Sequence, residues 1–103
     1  MIDLKKDDLR IVKEILRKYV PNLETRVFGS RATGKADETS DLDLVILAPH
    51  KLPFRTLSDL KYAFEESDLP FRVDVLDWRR ISGEFREQIQ KEWETVQIPA
   101  DKI

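Results

Sequence analysis

The chain has no cysteine and a single histidine, and neither charge is in excess: 18 Lys+Arg against 20 Asp+Glu leave a formal charge of −2 over 103 residues. Without thiols, neither a disulfide framework nor a thiolate zinc site can be built. His50 directly follows Pro49 and reads as a loop histidine, so a relay from an imidazole to a nucleophile has little to stand on. The near-neutral balance lacks the basic excess of a dedicated nucleic-acid binder and leaves no basic channel for a general polymerase. The longest apolar run, Leu44 to Ala48, falls far short of a bilayer span. Met1-Ile2-Asp3-Leu4-Lys5 has none of the apolar stretch of a signal peptide. The expectation is one small soluble cytoplasmic domain covering residues 1–103, large enough to bury a core but without a second unit to hold a large substrate.

The hydrophobic pattern predicts its elements. Leu9, Val12, Ile15, Leu16, Tyr19 and Val20 fall at helical spacing with Lys5, Lys6, Lys13, Arg17 and Lys18 largely between them, the mark of an amphipathic helix. Asp7 and Asp8 suit its first turn and Arg17 and Lys18 its last, and Pro21 stops it. Thr25–Phe28 reads as a strand ending in a tight turn at Gly29. Leu42, Leu44 and Ile46 alternate with Asp41, Asp43, Val45 and Leu47, a strand whose second half is apolar on both faces and therefore central in a sheet. A second helix carries Leu57, Leu60, Ala63 and Phe64 between Pro53 and Pro70, and a third strand alternates Phe71, Val73 and Val75 with Arg72, Asp74 and Leu76. Ile81, Phe85, Ile89 and Trp93 share a helical face with Ser82 as N-cap, and Thr95–Ile98 forms a short edge strand. The fold class is α/β (α+β), a small sheet covered by helices.

The chemistry concentrates in Val27-Phe28-Gly29-Ser30-Arg31-Ala32-Thr33-Gly34 and in Ser40-Asp41-Leu42-Asp43-Leu44-Val45, with ten residues between Ser30 and Asp41. Residues i and i+2 of a strand share a face, with Cα atoms about 6.6–7 Å apart. Asp41 and Asp43 at that spacing can converge on one divalent cation, and like-charge repulsion would penalise them without it. Mg²⁺, an oxygen-seeking ion, is the natural compensator. Asp74, flanked by Val73 and Val75, joins them if its strand lies alongside. Three carboxylates could then hold two ions about 3.5–4 Å apart, as phosphoryl-transfer sites do. Gly29 lets the backbone approach a ligand closely, Ser30 offers a hydroxyl, and the amides that follow offer donors if a short helix begins there. Arg31 and Lys35 stand ready to add positive charge beside phosphates.

These residues together resemble the minimal nucleotidyltransferases of the DNA polymerase β superfamily, whose signature is Gly-Ser, a spacer of this order, Asp-x-Asp on a strand and a later acid between apolar residues. Gly29, Ser30, Asp41, Asp43 and Asp74 match it. The resemblance implies the nucleotidyltransferase fold, a mixed sheet flanked by helices. It also implies Mg²⁺-dependent transfer of a nucleotidyl group, AMP from ATP, to a hydroxyl. On that reading Asp41 and Asp43 bind both metals, Asp74 ligates one and helps deprotonate the acceptor, and Gly29 and Ser30 hold the outer phosphates. Small members pair with a HEPN-domain protein as a toxin–antitoxin module, some transferring AMP to a tyrosine of that partner, which implies an antitoxin role here and a hetero-oligomer. The usual second arginine of Gly-Ser-Arg-Ala-Arg-Gly is Thr33 in this chain, removing one phosphate or partner contact while leaving every metal ligand in place.

Other polar residues have plainer readings. Alternation puts Asp77 on the face of Val73 and Val75, a turn residue and not a ligand. Trp78 and Trp93 cover the core or a partner interface. Glu84, Arg86, Glu87, Gln90 and Lys91 form a solvated helix face. Two functional classes follow: a nucleotidyltransferase that modifies a partner, and a non-catalytic binding module that neutralises a HEPN-type partner by occlusion.

Overall fold

In a computed structural model that describes residues 1–103, the amphipathic opening segment forms α1 (Lys6–Tyr19), burying Val12 and Leu16. Its acidic first turn and basic last turn oppose the helix dipole favourably. The Val20 amide closes it on the Leu16 carbonyl, and Pro21 follows. β1 (Glu24–Phe28) leads into a single helical turn, α2 (Ser30–Thr33). β2 (Leu42–Leu47), α3 (Phe54–Glu65) and β3 (Val73–Asp77) come next, then α4 (Gly83–Lys91) and β4 (Glu94–Gln97). Ser82 caps α4 as expected, its hydroxyl accepting from the Phe85 amide at 3.1 Å.

The sheet runs β3-β2-β1-β4, with β1 antiparallel to both its neighbours and β2 parallel to β3. The apolar stretch from Leu44 to Ile46 is buried, as a central strand requires. A parallel neighbour needs a crossover, which α3 supplies. One sheet face is packed by α1 and α3: Val12, Leu16, Leu57, Leu60 and Phe64 meet Val27, Leu42, Leu44, Ile46 and Val75 in one cluster. Each such side chain contributes about 1.5–3 kcal/mol on burial. By alternation Phe28, Asp43, Val45, Asp74 and Leu76 face the other way, where Phe85 of α4 meets the Phe28 ring edge-on at 6.1 Å.

Some details depart from the sequence-based expectation. Phe71 lies outside β3, and α4 ends before Trp93. Asp77 is a buried tie and not a simple turn residue. On the core side, its carboxylate accepts from the Leu52 amide at 2.8 Å, the Arg79 amide at 3.0 Å and Arg80 Nε at 3.1 Å. Arg86 leaves the solvated face of α4, donating from Nε to the Trp78 carbonyl at 2.9 Å and lying over the Trp78 ring. Trp78 in turn packs on Trp93, centroids 5.4 Å apart, and Arg26 covers the Trp93 ring.

Candidate functional site

Register brings the acids together. Phe28 pairs with Asp43 across β1–β2, and Asp43 pairs with Asp74 across β2–β3. Adjacent strands lie about 4.7–4.9 Å apart, so Asp43 and Asp74 stand side by side on one face. Asp41 sits one residue before β2. The half-buried Asp43 carboxyl is pushed up to about 6, first by loss of water, then by the charges of Asp74 and Asp41. Burial thus contributes most to the raising, and the two neighbouring acids add to it.

Gly29 explains why the Gly-Ser corner must be where it is. Its φ of +73° is left-handed, and a Cβ there would run into Asp43 Oδ2, with Asp43 Cγ 3.4 Å away. The bare backbone of the corner therefore lies directly against the carboxylate. Ser30 opens α2 beside it, and its carbonyl accepts from the Lys35 amide at 3.1 Å and from Thr33 Oγ1 at 3.4 Å. Lys35 itself is exposed beyond α2.

Arg31 overturns its expected role as a phosphate contact. Only 5% of it is exposed, and each nitrogen of its guanidinium donates to a backbone carbonyl. Nη1 donates to Asp3 O at 2.8 Å; Nε and Nη2 donate to Ser40 O at 3.0 and 2.9 Å. Nη2 also reaches Asp37 O and Glu38 O, and the group lies over the Phe71 ring at 4.2 Å. The side chain ties the N-terminus, the segment leading to Asp41 and the approach to β3 into one corner. Within that segment Asp37 forms its own turn, Oδ1 accepting from the Thr39 amide and hydroxyl at 2.8 Å, and these bonds hold its carboxyl below the usual range.

Sequence reasoning passed over Arg72, which donates from Nη2 to Asp74 Oδ1 at 2.9 Å. Its position two residues before Asp74 was the available signal, since that spacing puts both on one face. A cleft of about 1030 Å³ opens here, with Asp43, Asp74 and Arg72 on one wall and Phe28, Phe85 and Lys61 on others.

As the side chains stand, no three acids or imidazoles converge into a closed cation cage, and Asp74 is bonded to Arg72. The donor set is nevertheless all carboxylate oxygen, the chemistry a hard cation such as Mg²⁺ takes. The raised Asp43 carboxyl marks a place where added positive charge would be welcome.

Comparison with known proteins sets this geometry in context. The model of the Nucleotidyltransferase domain family matches residues 9–102. The chain is 49% identical over 96 residues to “Probable protein adenylyltransferase MntA” of Haemophilus influenzae, covering 93% of this chain and 84% of that one. A solved “putative minimal nucleotidyltransferase” superposes with a TM-score of 0.66 at 31% identity, over 86% of this chain and 89% of the other. A toxin–antitoxin structure with AMP-PNP superposes with a TM-score of 0.73 over 91% of this chain and 76% of that one; at 24% identity it speaks to the fold alone. The matched span takes in the Gly29-Ser30 corner and all three acids. With a relative that shares nearly half of its residues, this chain belongs to the nucleotidyltransferase domain family.

Proposed function

We propose that the protein acts in the cytoplasm as an antitoxin, transferring AMP from Mg²⁺-ATP to a hydroxyl of a HEPN-domain partner. The observation that carries this reading is the pairing of Asp43 with Asp74 on one sheet face, with the Gly29 backbone against Asp43. The adenylyltransferase name of the Haemophilus influenzae relative supports the AMP group and a protein acceptor.

The residues divide the work. The Gly29 backbone and the Ser30 hydroxyl hold the outer phosphates. Asp41, Asp43 and Asp74 supply the oxygen ligands for two Mg²⁺ ions. Bound there, Mg²⁺ would offset the charge of the triphosphate and of the leaving pyrophosphate. Asp74, beside the cleft, takes the proton of the acceptor hydroxyl as its oxygen bonds to the α-phosphorus and the bond to pyrophosphate breaks. Arg72 must release Asp74 for this, and its guanidinium then faces the same cleft. The partner supplies the acceptor hydroxyl.

Incubation with labelled ATP, Mg²⁺ and the HEPN-type neighbouring gene product tests the reading. Label should pass to the partner with the wild-type chain and not with Asp43→Ala. A partner that stays unlabelled yet is inhibited would favour occlusion instead, a reading to which the Arg72–Asp74 contact lends some weight.

A further inference from the structure

The two edges of the sheet are treated differently. β4 is a four-residue edge with a register shift against β1 between Thr25 and Arg26. Its Glu94 is paired with the Met1 amino group, and Pro99 follows closely. Bulges, charges and prolines are the usual means of keeping another strand away. β3 lacks the bulge and the proline, and its two charges are already engaged on the sheet faces, Asp74 with Arg72 and Asp77 with Leu52 and Arg80: residues Val73–Asp77 pair in unbroken register with β2, and nothing pairs on the far side.

The bonding of β3 follows from one contact. The Leu42 amide donates to the Arg72 carbonyl at 2.9 Å, so in a parallel ladder the peptide groups of Arg72, Asp74 and Leu76 turn toward β2. Those of Val73 and Val75 turn outward. This open edge is also where the cleft lies: its lining includes Val73 and Val75 from the core side of β3 and Asp74 and Leu76 from the site side, with Phe64 and Phe85 beyond them.

We infer that the bare edge of β3 captures an extended, hydroxyl-bearing segment of the acceptor protein as an added fifth strand. The inference rests on the transferase reading for the identity of that segment. Cross-strand neighbours share a sheet face, with Cβ atoms about 4.5–5.5 Å apart when directly opposite and roughly 7–8 Å when diagonal. A residue opposite Asp74 or diagonal to it therefore projects its hydroxyl onto the face that carries Asp43 and Asp74. Main-chain bonds to Val73 and Val75 supply affinity whatever the sequence of the segment, and the cleft walls select the side chain. A strand so placed fixes the hydroxyl beside the acids.

Amide hydrogen exchange on the ¹⁵N-labelled full chain tests this, with millimolar acetyl-Thr-Val-Tyr-Val-Thr-amide as probe. The Val73 and Val75 amides should slow at least tenfold, while Asp74 and Leu76, already bonded to β2, stay unchanged. The same peptide N-methylated at alternate residues should give no protection. Unchanged Val73 and Val75 amides would overturn the inference, and so would equal protection by the methylated peptide, which would mean capture by side chains alone. Protection that grows with protein concentration in the absence of peptide would assign the edge to a second copy of the chain and likewise overturn it. Neither nucleotide nor divalent ion is present, so failure here leaves the transferase reading intact, and failure of AMP transfer leaves this result standing.

Discussion

Asp43 is the residue on which sequence, packing and chemistry meet. Its folded carboxyl titrates near 6, against 3.8 as a free group. The folded state therefore holds this proton more tightly than the unfolded chain does, so stability falls as pH rises from about 4 to about 6 and stays at the lower level above that. The full shift would correspond to about 3 kcal/mol, but the site is only half-buried and water screens it, leaving roughly 1 kcal/mol. Asp43→Asn should accordingly stabilise the ion-free protein by about 1 kcal/mol at pH 7 and by nothing near pH 4. Urea unfolding at the two pH values, in chelator, reads this directly; an equal or lower midpoint at pH 7 would refute it. The substitution is expected to improve the fold while removing metal-dependent ATP binding, the trade common at functional sites.

At the scale of elements, Arg31 shows how a residue next to the Gly29-Ser30 corner can serve the framework. It links the segment before β2 to the N-terminus and to Phe71, so Asp41 is held by a side chain that never reaches the site. Lysine cannot reproduce the planar fork that meets Ser40 O twice and Asp3 O once. Arg31→Lys should cost about 2–3 kcal/mol and speed amide exchange across residues 35–41. A phosphate-binding arginine would behave in the opposite way, weakening nucleotide binding with stability unchanged, and thermal melts beside nucleotide titrations tell the two apart. The α4 cap, the charged end turns of α1 and the central place of β2 were legible beforehand, because capping and burial on both faces depend on nearby residues. Arg31's burial was not, since its partners lie up to 28 residues away and share no pattern with it.

For the molecule as a whole, the sheet works as a platform. One face is sealed by α1 and α3, while the other, partly covered by α4, keeps the acids at the β2–β3 seam open to a cleft. A ligand that binds only the folded state raises its stability by mass action. Mg²⁺ and ATP together should raise the melting temperature of the wild-type chain, by about 4–8 °C for each kcal/mol of binding free energy gained. Asp41→Asn and Asp43→Asn should abolish that rise. Either variant responding like wild type would remove that aspartate from the binding site.

Local chemistry, read along the chain, was enough to determine the helices, the strands, the two faces of β2 and the acids each strand could present, because side-chain periodicity is a property of a few consecutive residues. It also determined that Gly29 sits at a tight turn. Only the tertiary structure decided that β3 lies parallel beside β2, putting Asp74 next to Asp43, and that the turn at Gly29 closes onto that carboxylate. It alone gave Arg31 to backbone carbonyls and Arg72 to Asp74, and left one sheet edge bare in the cleft. Strand order and the partner of a long polar side chain are settled by competition among groups distant in sequence, and no local pattern records which of them wins.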